Sequence, residues 1–158
     1  MRLLNSICSV IASSYVGVPV HIEEVPKDFR RNSFLVTLAT SSSQMKNYSV
    51  SEDTPTFQIV YFGERSEANQ VLAENLYKVK EELKALFLLR RALPVIPLEG
   101  VKERPRYAKI ETYSDEIRLD EGAVYIKLSL SFTEGISTTD SSELTGEVDF
   151  DLSTKING

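Results

Sequence analysis

Between residues 124 and 132 the chain alternates without a break: Val124, Ile126, Leu128, Leu130 and Phe132 are apolar, and Tyr125, Lys127, Ser129 and Ser131 stand between them. Successive side chains of a strand point to opposite faces, so this segment reads as a β-strand with one face in a core and the other toward solvent. Asp120-Glu121-Gly122 precedes it and reads as a tight turn, because glycine reaches positive φ cheaply, so residues 116–119 are expected to join the strand through it. The fold must therefore contain a sheet, and the apolar face of that sheet needs a cover.

Two helices can supply the cover. Leu72, Leu76, Val79, Leu83 and Leu86 step by four and three while Glu74, Lys78, Glu81 and Lys84 fall on the other side, which predicts a long helix over residues 67–91 with its apolar stripe across the sheet. Leu93-Pro94 ends it, since proline cannot continue a helix. Leu4, Ile7, Cys8, Ile11 and Tyr15 form a second stripe, so an amphipathic opening helix is expected before Gly17 and Pro19, its serines on the other side. Residues 3–20 are also the longest stretch without a charge or a histidine, but Asn5, Ser6, Ser9, Ser13, Ser14, Gly17 and Pro19 interrupt it. A membrane span needs about 20 mostly apolar residues and a signal peptide an unbroken run of about 7–15, so neither is expected.

The remaining strands are weaker. Residues 20–25 alternate until Pro26, and residues 33–39 are apolar at nearly every position, which suits a central strand covered on both faces. Residues 56–62 are rich in aromatic and β-branched side chains and stop at Gly63; residues 107–113 alternate again, with Ala108 and Ile110 inward and Lys109 and Glu111 outward. Residues 40–55 are polar around Met45 and Tyr48, so they are expected to be a loop or a hairpin arm projecting from the body. The fold class is therefore α+β: one mainly antiparallel sheet packed against a long helix and an N-terminal helix, with a projecting arm. The 158 residues suit a single domain, here residues 1–135, followed by an extension over 136–158 whose apolar residues are too few for a core of their own.

Composition excludes most chemistry. With 18 Lys and Arg against 23 Asp and Glu the formal charge is -5, which repels phosphate backbones, and the Arg30-Arg31 pair and residues 102–106 are read as solubility or interface charges. One cysteine, Cys8, rules out an internal disulfide and points to a reducing compartment; with one histidine, His21, it also rules out zinc clusters of the Cys and His type. Asp115-Glu116 with Asp120-Glu121, or Glu147, Asp149 and Asp151, are oxygen donors suited to Mg²⁺, but no Gly-rich phosphate loop or paired base accompanies them. No catalytic residue, metal or cofactor is assigned, and the chain is not expected to be an enzyme.

The order of the segments carries a resemblance. An opening helix, His21-Ile22-Glu23-Glu24-Val25-Pro26-Lys27-Asp28-Phe29, Phe34-Leu35-Val36, Tyr48 with Phe57-Gln58-Ile59-Val60-Tyr61-Phe62, and Asp120-Glu121-Gly122-Ala123-Val124-Tyr125-Ile126 together resemble the phage tail terminator family over about residues 1–135. The resemblance implies a structural protein of the virion tail or neck, assembled in the host cytoplasm as a ring, commonly a hexamer. That ring would cap the tail tube, stop its polymerisation and offer a docking face to the filled head. Its implied partners are copies of itself, the tail tube protein and a head-closure or connector protein, with DNA passing through without tight binding and no membrane. The competing readings are another neck component, such as a head-closure or connector protein, and a small metal-dependent enzyme. Interface residues are expected in the arm, at Met45, Tyr48, Val50 and Glu52, and in the tail, at Leu144, Val148 and Phe150, which is expected to become ordered on assembly by adding a strand to a neighbouring subunit or a tail protein.

Overall fold

Every apolar position of the alternating segment is buried. In the computed structural model the last strand runs from Ala123 to Gly135; Val124, Ile126, Leu128, Leu130 and Phe132 lie in the core, while Lys127 is exposed and Tyr125, Ser129 and Ser131 are half-buried. The structure describes residues 2–135 apart from Leu98, Val101 and Glu103. In chain order its elements are α1 (Arg2–Ser14), β1 (Val20–Ile22), β2 (Ser33–Thr40), β3 (Ser43–Asn47), β4 (Val50–Asp53), β5 (Thr56–Phe62), α2 (Ala73–Leu88), β6 (Ala92–Pro94), β7 (Tyr107–Arg118) and β8 (Ala123–Gly135). The described residues form two compact units, one of residues 2–42 and 54–132, the other of residues 43–53 and 133–135.

In the first unit the strands follow the order β1-β2-β5-β8-β7-β6, antiparallel throughout except for the parallel pair β1 and β2. Register stacks the buried residues in rows across the sheet: Phe34, Tyr61 and Val124 form one, and Val36, Ile59 and Ile126 the next. Both helices are buried against this face. Helix α1 buries Leu3, Leu4, Ile7, Val10 and Ile11, and α2 buries Leu76, Val79, Leu83 and Phe87, the three- and four-residue spacing that keeps a stripe on one side of a helix. Tyr15, Phe34 and Tyr61 pack in series, with ring centroids 5.0 Å apart at each step.

Four expectations are corrected. Residues 33–39 are not covered on both faces: Phe34 and Val36 are buried, but Leu35 is half-buried and Leu38 exposed, because the helices pack on one side of the sheet. The second helix begins at Ala73 and ends at Leu88, not at residues 67 and 91. Upstream, Ser66 Oγ accepts from the Gln70 N–H, Asn69 N–H donates to the Ser66 carbonyl, Arg65 bridges Val71, and Asn69 takes a φ of 60°, a set of turn contacts that competes with helical ones. At the other end Arg91 has a φ of 62°, which breaks the helix and starts β6. Ser6 is not on the solvent side of α1; it is buried, donating to the Arg2 carbonyl and accepting from the Ile96 N–H at 3.0 Å. Arg2 Nε in turn donates to the Ile96 carbonyl, so α1 is pinned to the segment following β6.

Strand β7 also runs further than its alternation suggested. It is continuous from Tyr107 to Arg118, with a register shift against β8 between Ile110 and Thr112. The extra residue reverses the phase, so the inward positions are even before the bulge (Ala108, Ile110) and odd after it (Tyr113, Ile117).

The far end of the sheet is closed by one cation. Arg31 donates to the carbonyls of Gly63 at 2.6 Å, Glu121 at 2.7 Å and Gly122 at 2.8 Å, joining the approach to β2, the end of β5 and the turn before β8. Burial, and then the neighbouring Arg65, hold this guanidinium below its usual pKa. Gly122 has a φ of 67°, and a Cβ there would stand 3.0 Å from the same guanidinium, so both conformation and space call for glycine.

Two outcomes follow from this packing. Leu76→Asp should abolish cooperative folding, because an unpaired buried charge costs several kcal/mol; a normal melting curve for this variant would remove Leu76 from the core. Arg31→Met should lower the unfolding free energy by about 2 kcal/mol in urea titrations, the scale of hydrogen bonds to a charged group, while Arg30→Met at its exposed neighbour should change it by less than about 0.5 kcal/mol.

Candidate assembly surface

The polar stretch between β2 and β5 is a β-hairpin. β3 and β4 pair antiparallel, with Ser43 opposite Asp53, Gln44 opposite Glu52 and Met45 opposite Ser51, and a register shift before Asn47 meets Val50. Asn47 Oδ1 accepts from the Ser49 N–H at 2.8 Å and from Ser49 Oγ, the Asx arrangement that lets a short polar side chain close a turn. Lys46 and Glu52 form an ion pair across the strands. Ser42 and Thr54, which flank the hairpin, are bonded to each other through both hydroxyls and the Thr54 N–H. In this second unit β4 lies between β3 and the end of β8, and Ser51 Oγ donates to the Glu134 carbonyl.

Of the interface residues expected in this segment, Tyr48 is 87% exposed at the tip and Met45 53% exposed on β3, whereas Val50 and Glu52 on β4 are half-buried. A phenol and a thioether thus stand in solvent on the hairpin. Leu144, Val148 and Phe150 lie outside the described residues, as do Glu147, Asp149 and Asp151. Leu72, expected on the buried stripe of the second helix, is instead 40% exposed, because it precedes the helix that begins at Ala73. Leu119, in the turn before Gly122, is 47% exposed, and Tyr107, at the start of β7, is 61% exposed.

The residues weighed for chemistry are dispersed. Asp115 faces α2, with Lys80 at 3.6 Å, while Glu116 is bonded to Arg118 at 2.7 Å and Glu121 accepts from Tyr125. Among the described residues, no group of three or more His, Cys, Asp or Glu is placed to share a metal ion. His21 sits on β1 opposite Leu35, and Cys8 is half-buried on α1, where burial pushes its thiol up to about 11. Tyr113 Oη is buried with no hydrogen-bond partner among the described residues; burial, then the Asp115 and Glu81 carboxylates, raise its pKa. No helix among the described residues is long and apolar enough to cross a membrane.

A family model described as phage tail terminator protein matches residues 2–142, and the chain belongs to that family of structural proteins of the phage tail. The match runs past Gly135 into the segment expected to lie beyond the resemblance. No curated protein matches the chain.

The Cys8 environment gives a direct check on α1. Only the thiolate is alkylated, and a pKa raised to about 11 leaves little of it at pH 8. Iodoacetamide labelling followed by mass spectrometry should be at least about tenfold slower in the native protein than in urea, where both burial and the raised pKa are lost.

Proposed function

We propose that this chain caps the tail tube as a ring of identical copies, most simply a hexamer, ends tube polymerisation and presents a docking face to the head-closure or connector protein. The observation that carries the reading is the family match over residues 2–142. The hairpin supports it from the side of geometry. Met45 and Tyr48 stand exposed on a frame whose strands bury no core residue, so a neighbouring copy or the tube protein can cover them without disturbing the packed sheet. The excess of acidic side chains suits a lumen through which DNA moves without being gripped, because a surface that collects phosphate would slow its passage. Val50 and Glu52 contribute from the second strand by holding the frame, Glu52 through its pair with Lys46. The tail beyond Gly135, with Leu144, Val148 and Phe150, adds a strand to a neighbour once the ring closes.

Replacing residues 43–52 by a short turn should leave a folded protein with near-normal melting that no longer joins tails to heads in an in vitro complementation assay. Tyr48→Ala with Met45→Ala should reproduce much of the loss without touching the strands. Unchanged tail joining in both variants would remove the hairpin from the interface.

A further inference from the structure

β3 is a strand with one open side. Among the described residues it pairs with β4 alone, so it forms the outer margin of the second unit, and alternate residues of such a strand turn both N–H and C=O away from the partner. The usual guards of a margin are missing or already engaged. Ser43–Asn47 holds no proline, all five of its residues are exposed, and the register shift lies at the turn end, after Met45. Its one charge, Lys46, is drawn back to Glu52 on β4. Glu52 stands opposite Gln44, so Lys46 and Gln44 share one face of the hairpin and Met45 lies on the other.

The chain carries a segment that matches this edge. Glu147-Val148-Asp149-Phe150-Asp151-Leu152 alternates without a break between carboxylates and apolar side chains, so as a strand it has one acidic face and one apolar face. Laid along β3, its apolar face comes beside Met45, and its carboxylates come beside Gln44 and Lys46, the single cation of residues 43–53, with Glu52 one strand further off. The segment lies beyond residue 142, where the family match ends, so the pairing is not one that membership in the family supplies. Its tether suits another copy. On one copy β8 and β3 are two strand spacings apart, about 10 Å, and β3 itself is about 17 Å long, so a return to the same edge takes about 20 Å at most. The eleven residues 136–146 reach up to about 36 Å when extended.

We propose that residues 147–152 of one copy add as a strand to the open edge of β3 on the next copy around the ring. Main-chain hydrogen bonds supply the affinity, and the Met45 and Lys46 faces fix which way the added strand is turned. Each copy gives one strand and receives one, so the contact is heterologous and is satisfied at every position only when the ring closes. The inference rests on the ring reading, and it names the receiving edge and the segment that fills it.

The test uses the full-length protein and isolated tail tubes. Negative-stain electron microscopy scores the rings, and hydrogen exchange with mass spectrometry follows the backbone of residues 43–47. In rings of the full chain, exchange in β3 should be at least about tenfold slower than in the free subunit. A chain ending at Gly146 should lose that slowing, raise the half-capping concentration by about tenfold or more, and melt as the full chain does. A Cys8→Ala protein carrying Met45→Cys and Phe150→Cys, treated with a short bismaleimide after assembly, should give a ladder of linked copies on a denaturing gel. Linkage confined to single copies, slow β3 exchange before assembly, or a lower melting temperature in the shortened chain would place the strand on its own subunit and overturn the proposal. So would a shortened chain that caps tubes as well as the full one and keeps β3 equally slow, since something other than residues 147–152 then covers the edge. Each of these results leaves the ring reading intact. If the full chain forms no rings on tubes, the ring reading falls, and this inference with it.

Discussion

The inner face of β8 is the constraint on which the first unit depends. Its five alternating apolar side chains are buried, and the strand is paired on both sides, to β5 and to β7, so its register transmits to the rest of the sheet. A slip of one residue would turn Val124, Ile126, Leu128, Leu130 and Phe132 outward and present Lys127 to the core, a change no neighbouring strand could compensate. The helices then have one place to go. Their apolar stripes meet the only dry face available, and the opposite face keeps its hydroxyls and charges, with Thr56 bonded to Ser129 and Arg118 stacked 3.9 Å from the Tyr125 ring.

How much of this was legible depends on how many residues repeat a pattern. β8 and β5, with long runs and clear stops, and α1, with its stripe of Leu4, Ile7 and Ile11, could be read directly. β6 could not, because three residues, one of them proline, carry no period, and its existence comes from pairing with β7. The start of α2 was misplaced because Leu72 extends the helical spacing upstream, while the turn built on Ser66 and Asn69 leaves only polar residues as its signal. The bulge in β7 was hidden for a different reason: alternation on either side of it looks regular, and the phase change is visible only against a partner strand. Ser6 was read as a solvent-facing residue because nothing local announces that an N–H ninety residues away will need its hydroxyl.

The candidate surfaces divide the same way. Met45 and Tyr48 stood out as apolar residues in a polar stretch, and they are exposed. Leu119 and Tyr107 did not, since each sits within or beside a strand pattern that gives an apolar residue an ordinary reason to be there. For a family whose members work as structural parts of the phage tail, such surfaces matter more than any single reactive group.

The pinning of α1 to the segment after β6 has a consequence for behaviour at high concentration. An outer strand of a sheet is a template for pairing with other chains. Here the β6 margin is blunted: Pro94 has no N–H to offer, and both backbone groups of Ile96 are occupied by Ser6 and Arg2. The opposite margin, β1, is three residues long and ends where Glu23 turns to a φ of 66°. Uncontrolled strand-to-strand stacking through the first unit is thereby discouraged at both margins, which leaves side chains rather than open backbone as what those margins present.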